Sequence, residues 1–289
     1  MGTSASYGGP KGTNPLIPSW VDTPLPGEAA APAGDDGKQP PDGGEDAYDG
    51  ELDRPPAPAL DPNRLKPLRA AIRISARSGG SEIRAMRAAA RHFVSKSMGG
   101  ASRGAQRMGV ARRAGGRLVQ AFSALAAGGV SQLARVLRLG SLAGLSTSQV
   151  WDRLAEFVCS DGGSIDEAIV KAAFCQTLKQ EMDNGMTDLL DANSEQLASF
   201  FERFIGECVI ERLSQEGGSL LEQNGVSAAA AFAHMQTLRS LVSVFIAQRL
   251  GARAGHGLSV KYDSRRIDVI VAGTLRDAIA AVGEWGEGE

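Results

Sequence analysis

The sequence predicts a mainly α-helical protein, in which a multi-helix domain follows a disordered N-terminal segment and carries a short β-hairpin-like element near its C-terminus. Three observations support this prediction. Apolar residues recur at helical spacing through most of the chain after residue 62. Proline, glycine and aspartate dominate residues 27–62, a composition that cannot bury enough apolar surface to fold. An alternating pattern replaces the helical one near residues 258–271.

Basic and acidic residues are unevenly distributed along the 289-residue chain, although its net charge is only −2. Residues 63–140 carry 16 basic side chains and one acidic side chain, whereas the regions on either side are acidic. We therefore divide the chain into an N-terminal recognition and modification segment (1–26), a disordered acidic Pro/Gly-rich linker (27–62), a basic helical region (63–140) and an acidic helical region (141–289). Opposite charges should attract the linker to the basic helices.

The basic region reads as a series of helices separated by paired glycines. A first helix is predicted from the apolar spacing of Leu65, Leu68, Ile72 and Ala76. A second helix should begin at an N-cap at Ser81 and end at Gly99-Gly100. A longer helix follows, with Val119 to Leu137 in register. We expect interruptions at Gly115-Gly116 and at Gly128-Gly129, because paired glycines weaken helix interiors.

The acidic region is also predicted to be helical up to about residue 250. Its predicted helices begin at Ser148, at a Ser164/Glu167 capping box and at Ser194, and a last one runs from Ala228 to Leu250. We expect the second to reach Leu178 and the third to stop at Gly217-Gly218. The alternating stretches Leu258–Tyr262 and Ile267–Val271 predict two strands around a turn at Asp263-Ser264, followed by a short helix, Leu275–Val282.

Motifs for catalysis or metal binding are missing from the sequence. The histidines, His92, His234 and His256, do not have zinc-site spacing, and there is no Walker A, GxGxxG or GxSxG motif. We therefore expect no catalytic residue, no metal and no cofactor. The three unpaired cysteines and the lack of a signal peptide predict a cytoplasmic protein. The longest uncharged run, Leu118–Ala134, contains glycine, serine and glutamine, so we expect no stable membrane association.

Ten arginines of the basic region form a predicted basic surface, because several recur one helical turn apart. Three interpretations are open: phosphate contacts with a nucleic acid, docking of an acidic partner or of the chain's own acidic residues, or an ordinary solvated surface. Aromatic residues for base stacking are scarce here, so sequence-specific readout is not indicated. The arginines are Arg69, Arg73, Arg77, Arg84, Arg87, Arg91, Arg103, Arg107, Arg112 and Arg113.

The first twenty residues contain a second candidate site. Removal of Met1 would leave the amine of Gly2 free, and MGTSAS also fits the short myristoylation pattern, although one acyl chain anchors a protein only marginally. Apolar side chains in this otherwise polar stretch are candidates for docking into a groove. The predicted recognition residues are Thr3, Ser4, Tyr7, Gly8, Gly9, Pro10, Leu16, Ile17, Pro18 and Trp20.

Two stretches of the sequence carry a family resemblance: the start, MGTSASYGGPKGTNPLIPSW, and the run MGGASRGAQRMG in the basic region. With the linker between them, they resemble the QatB component of bacterial Qat anti-phage systems. The resemblance implies three partners: an ATPase (QatA), a QueC-like homologue of 7-cyano-7-deazaguanine synthases (QatC) and a TatD-like nuclease (QatD). It also implies that QatC attaches a 7-deazaguanine-type group to the amino-terminal glycine, here Gly2, after recognising Thr3 to Trp20.

Two functional hypotheses follow from the sequence. In the first, the chain is a non-enzymatic defence component whose N-terminus is modified and whose helical domain docks partner proteins. In the second, it is a nucleic-acid-binding adaptor that uses the Arg-rich helices. The first depends on the resemblance, and the second depends on charge alone.

Overall fold

Nine α-helices and one π-helical turn form the regular structure of the residues that the computed structural model describes, which are 66–77, 83–159, 163–223, 227–251 and 264–287. All of them belong to one compact unit, Pro56–Glu289. The helices are α1 (Lys66–Arg77), α2 (Ile83–His92), α3 (Ala101–Arg107), α4 (Gly109–Val136), α5 (Thr147–Val158), α6 (Ile165–Asp183), α7 (Ser194–Gln223), α8 (Ala228–Gly251) and α9 (Ser264–Glu287), with the π turn at Phe93–Ser97. The mainly helical prediction is confirmed.

Helices α7 and α9 lie at the centre of the domain. Helix α7 packs against α4, α6, α8 and α9, and α9 also packs against α2 and α3. Their buried faces join helices from the basic region and the acidic region in a single hydrophobic core. The two oppositely charged parts of the sequence therefore fold together.

Aromatic side chains fill the part of the core around Phe200 of α7. The indole of Trp151 stacks on the Phe200 ring at 5.4 Å between ring centroids, and Phe122 meets the same ring edge-on at 5.5 Å. Phe174 approaches it at 5.7 Å. These contacts fix α4, α5 and α6 around α7, because offset-stacked and edge-on ring pairs are favourable.

Glycine plays opposite roles at the two places in α4 where we predicted interruptions. Helix α4 continues through Gly115-Gly116, so the first interruption is wrong. A Cβ atom at Gly115 would lie 2.8 Å from Val271 of α9, which shows that the glycine is there for close packing. The second interruption is confirmed at Gly129, whose φ of 64° bends the helix.

Capping side chains set the starts of α5 and α6. The predicted box is confirmed at α6, where the Glu167 amide donates to Ser164 Oγ at 3.2 Å and Ser164 N donates to the Glu167 carboxylate at 3.0 Å. At α5 the cap is Ser146 and not Ser148, because Gln149 completes a reciprocal box with Ser146. The sequence offered serines at both positions, and only the position of Gln149 distinguishes them.

Two helices of the acidic region are longer than predicted. Helix α6 continues past Leu178 to Asp183, and α7 continues through Gly217-Gly218 to Gln223. Gly217 is buried, and the neighbouring Glu216 is held by side chains of α7 and of the π turn. Tertiary contacts therefore outweigh the low helix propensity of the two glycines.

The second strand of the predicted β-hairpin is wrong, whereas the helix predicted after it is confirmed as part of a longer helix. Residues 267–271 lie inside α9, which also includes the predicted short helix Leu275–Val282. Ile267, Val271 and Leu275 are buried one turn apart, while Val269 is 70% exposed, so the apolar residues follow the helical period. The first predicted strand, Leu258–Tyr262, lies outside the described residues, which contain no strand.

Helix α8 differs from the other described helices in being long and apolar enough, by length and composition alone, to cross a membrane. The segment is Ala228–Leu250, and 22% of its apolar window is buried in the domain. The longest uncharged run of the sequence is elsewhere, at Leu118–Ala134, and the α8 segment contains Arg239 and Arg249. A core helix of a soluble protein satisfies the same criterion, so the finding assigns no membrane role by itself.

Candidate interaction surface on the basic helices

Four exposed cations follow one another on α2, the π turn and α3. Arg84 and Arg91 lie two turns apart on the same face of α2, about 10 Å from each other along the helix axis. Lys96 and Arg103 continue the series. Within the described part of the chain none of the four has an ion-pair partner, so their charges are available to an outside ligand.

Two of the predicted surface arginines have structural roles instead. Arg107 donates to the carbonyl oxygens of Ser97 and Met98 at 3.3 and 3.2 Å, which satisfies the end of the π turn. Arg112 forms a two-pronged ion pair with Asp268 of α9. Both side chains are half-buried, and they join the basic region to its surroundings.

The other predicted arginines vary in exposure. Arg69 and Arg73 are exposed on α1, Arg113 is exposed on α4, and Arg87 is half-buried on α2. Arg73, Arg87 and Arg113 already interact with other groups of the protein. Arg77 ends α1. The ten arginines therefore do not act as one uniform surface, and sequence spacing could not separate paired side chains from available ones.

The MGGASRGAQRMG run folds as a tight junction between the π turn, α3 and α4. Gly99 and Gly100 have φ values of 76° and 92°, which L side chains rarely adopt. They follow the π turn that extends α2, at the place where the second helix was predicted to end. Gly104 lets α3 approach α9, because a Cβ atom there would lie 3.0 Å from Ile279. Gly99, Gly100 and Gly104 are thus required by the fold.

A chain of polar contacts lies behind this junction. Ser97 Oγ donates to the Glu216 carboxylate, and Arg212 Nε donates to the same carboxylate at 3.1 Å. Arg212 also pairs with Asp166 at the start of α6. The π turn of the basic region is therefore fixed to α6 and α7 by hydrogen bonds and ion pairs that only the three-dimensional structure reveals.

A second polar network connects α6, α7 and α8. Gln180 Nε2 donates to Glu207 at 2.9 Å, and Arg239 of α8 pairs with both Glu207 and Glu211. Burial raises the pKa of the Glu207 carboxyl, while the Arg239 guanidinium opposes that shift. On the α6 side, Arg203 pairs with the buried Glu181 at 2.7 Å. The arrangement is an internal ion-pair network, closed to solvent at Glu207.

The described histidines and cysteines do not cluster into a metal site, and His92 lies next to the exposed cations Arg91 and Lys96. Burial lowers the pKa of His234, and burial together with Arg91 and Lys96 lowers the pKa of His92. All three cysteines are free: Cys159 and Cys208 are buried, and Cys175 is exposed. Burial raises the pKa of the Cys208 thiol well above its usual value. The described residues contain no group of His, Cys, Asp or Glu that could hold a metal ion.

An open groove of about 700 Å³ lies where α4 ends, and no pattern in the sequence indicates it. The last turns of α4, the loop at residues 139–145 and Leu190 line it. Arg135 is the only charged residue in its lining. A loop wall of this kind has no periodic pattern in the sequence, so nothing could have indicated it beforehand.

Comparison with known families decides the identity of the described domain. Residues 99–282 match the family model described as QatB, Qat anti-phage system associated protein QatB. The chain belongs to the QatB family. It is therefore a component of an anti-phage defence system, and other Qat components are its expected partners. The chain shows no significant similarity to a curated protein or to a solved structure.

The QatB match covers well over half of the chain and begins inside the glycine junction. Helices α3 to α8 and most of α9 lie within the QatB region, whereas α1, α2 and the π turn precede it. Of the four exposed cations, only Arg103 therefore belongs to the matched region. The predicted modification site Gly2 and the recognition residues Thr3 to Trp20 lie outside the described residues.

Proposed function

We propose that this QatB-family chain is a non-enzymatic substrate and adaptor. In this proposal the amine of Gly2 receives a 7-deazaguanine-type group from the QueC-like partner, QatC, and the helical domain docks other Qat components. The observation that carries the proposal is the match of residues 99–282 to QatB, joined to an N-terminal sequence that also resembles that family. We further propose that the chain works in the cytoplasm.

The adaptor part of the proposal is supported by which polar side chains are paired within the domain and which are exposed. The MGGASRGAQRMG run serves the fold, with Arg107 bound to backbone carbonyls and Gly104 at a helix contact. The exposed cations Arg84, Arg91 and Lys96 carry charge that the described residues do not neutralise. A surface of this kind suits an acidic partner protein, because an arginine guanidinium can donate two hydrogen bonds to one carboxylate.

Intact-mass measurement tests the modification. The chain is co-expressed with its QueC-like partner, and the N-terminal peptide is then sequenced by mass spectrometry. We expect an adduct on Gly2 after loss of Met1. A mass equal to that of the unmodified chain, while the partner is active on a positive control, would contradict the proposal.

Two variants locate the modified atom. Gly2→Pro converts the primary amine into a secondary one and should abolish the adduct. Gly37→Pro, in the acidic linker, leaves the N-terminal amine unchanged and should carry the full adduct. An adduct that persists on Gly2→Pro would place the modification at another group and reject Gly2.

A nucleic-acid-binding adaptor is the second candidate function. The observation in its favour is the same row of exposed cations, with Arg84 and Arg91 about 10 Å apart on one helix face. Duplex DNA presents phosphates at comparable spacings, and each phosphate contact contributes about −0.9 to the slope of log affinity against log salt. No sequence preference is expected.

A paired charge reversal separates the two candidates. The variant Arg84→Glu/Arg91→Glu removes the exposed cations of α2, and Lys171→Glu/Lys179→Glu makes the same charge change on exposed residues of α6. Only the α2 variant should lose binding to the ligand of this surface, whether a Qat partner or DNA. If the α2 variant no longer binds the Qat partner and the parent chain does not bind duplex DNA at low salt, the adaptor function is supported. If the parent chain binds DNA and the α2 variant loses that binding with a reduced salt slope, the second candidate is supported.

A further inference from the structure

Two large apolar side chains are exposed at one end of the helix pair α1–α2. Ile74, in the last turn of α1, is 52% exposed, and Ile83, the first residue of α2, is 49% exposed. The two helices pack against each other, and only residues 78–82 join them. Both isoleucines therefore belong to the end of the pair at which α1 passes into α2.

The unpaired charges of α2 begin at the same end. Arg84 follows Ile83 directly, and Arg91 lies about 12 Å from Ile83 along the helix axis. Within the described part of the chain neither arginine has an ion-pair partner. Lys96 and Arg103 extend the charges beyond α2. Exposed apolar side chains thus precede a row of cations along the same helix.

This combination distinguishes between the ligands that the cations suit. Contacts to a nucleic-acid backbone come from cations and hydrogen-bonding groups, so exposed isoleucines add nothing to them. Protein interfaces, in contrast, combine buried apolar side chains with a polar rim. A single exposed isoleucine is ordinary, but two of them at the start of an unpaired cation row provide an apolar contact next to the charged one.

We propose that the α1–α2 surface binds a segment of a Qat partner in which apolar side chains are followed by carboxylates. The apolar side chains contact Ile74 and Ile83, and the carboxylates extend over about 12 Å to reach Arg84 and Arg91. The inference rests on the proposed docking of an acidic partner at these cations, and it adds an apolar anchor that determines which acidic segments bind tightly.

Two fluorescein-labelled peptides test the anchor. One peptide has two leucines followed by eight glutamates, and the other has two serines followed by the same eight glutamates, so their charges are equal. Fluorescence anisotropy measures their binding to the full chain at low salt. We expect the leucine peptide to bind at least about threefold more tightly, because its leucines remove apolar surface from water. Equal affinities, or no binding of either peptide, would overturn the proposal.

Paired substitutions locate the anchor. Ile74→Ser/Ile83→Ser should reduce the affinity for the leucine peptide to that for the serine peptide. Ile165→Ser/Val269→Ser, the matched control, removes side chains that are 62% and 70% exposed on α6 and α9 and should keep the preference for leucine. Thermal unfolding checks that both variants are folded. A preference for leucine that persists in the Ile74/Ile83 variant would place the anchor elsewhere and reject this surface.

A short duplex DNA is titrated against the parent chain and the same variants. The proposal predicts that DNA binds more weakly than the leucine peptide at the same salt concentration. DNA that binds more tightly than the peptide, with an affinity that the Ile74/Ile83 variant does not change, would assign the surface to a nucleic acid and contradict the proposal.

Failure of the anchor is distinguishable from failure of the acidic-partner function. Arg84→Glu/Arg91→Glu should abolish the binding of both peptides, because like charges then face the glutamates. If this variant loses both peptides while the parent chain shows no preference for leucine, the acidic-partner function is supported and the anchor is rejected. If both peptides still bind this variant with unchanged affinity, the acidic-partner function and the anchor are both rejected.

Discussion

Glu202 on α7 is a carboxyl group whose environment opposes its charge. Burial raises its pKa to about 7 from an ordinary value of 4.5. Because the folded pKa is the higher one, the folded chain binds more protons than the unfolded chain between these two values. The free energy of unfolding therefore falls as the pH rises from about 4.5 to about 7. Above that range the cost of burying the charged carboxylate is fully present.

We predict that Glu202→Gln makes the protein more stable at neutral and alkaline pH. After a discount for partial exposure, the gain in the free energy of unfolding at pH 8 should be about 1 kcal/mol, and it should vanish below the unfolded pKa. Urea titrations at several pH values measure it. Glu195→Gln, exposed in the first turn of α7, should show no such gain, because a negative charge is favourable there. Equal behaviour of the two variants would contradict the assignment.

Two glycines of α9 should respond in opposite ways to alanine. A Cβ atom at Gly286 would lie 2.6 Å from Arg91 N and 2.8 Å from Arg87 O, which are backbone atoms of α2 that cannot move aside. Gly286→Ala should therefore destabilise the domain by about 1–3 kcal/mol. Gly273 has nothing within 4 Å, so Gly273→Ala should stabilise it by about 0.5–1 kcal/mol. Thermal unfolding would show a lower and a higher midpoint respectively.

At the scale of elements, sequence patterns predicted helices well and their ends less well. The Ser164/Glu167 box fixed the start of α6 because both partners of the reciprocal hydrogen bonds are local. The helix ends predicted at Gly115 and Gly217 are absent because both glycines are buried in the domain, and packing there maintains a helix that propensity alone would break. The strand predicted at residues 267–271 is wrong because five residues are too few to distinguish the strand period of two from the helix period of 3.6.

The start of α5 offers a test of the corrected cap. Ser146→Ala removes the side chain that accepts from the Gln149 amide and should lower the free energy of unfolding by about 1 kcal/mol. Ser148→Ala, in the first turn of the same helix, should have an effect of only a few tenths of a kcal/mol. Denaturant unfolding of the two variants provides the comparison. A larger loss of stability for Ser148→Ala than for Ser146→Ala would instead identify Ser148 as the N-cap.

The internal network between α6, α7 and α8 should be sensitive to the loss of one member. Arg239→Met leaves Glu207 and Glu211 without their cation, so we predict a destabilisation of about 3 kcal/mol. Adding Glu207→Gln removes one of the uncompensated charges and should recover part of that loss. Equilibrium unfolding of the single and double variants checks this, and a double variant less stable than the single one would reject the explanation.

At the scale of the whole molecule, opposite charges meet inside one domain. Arg112 pairs with Asp268, and Ser97 contacts Glu216, so parts of the chain that are far apart in sequence and opposite in charge share their contacts. Composition alone predicted the regions and their attraction. It could not predict which cations would form ion pairs or hydrogen bonds within the domain, because those contacts depend on how α9 and α7 pack against the basic helices.

Cys175 has a practical consequence for the binding experiments. A tag at the first residue would block the amine of Gly2, and a tag at the other end would follow closely on Gly286, which packs tightly enough against α2 that an added Cβ atom would lie 2.6 Å from Arg91 N. Cys175 is exposed on α6, whereas Cys159 and Cys208 are buried. A thiol-reactive fluorophore should therefore attach at one position and leave both ends of the chain native, which makes Cys175 the preferred reporter for measuring partner affinity.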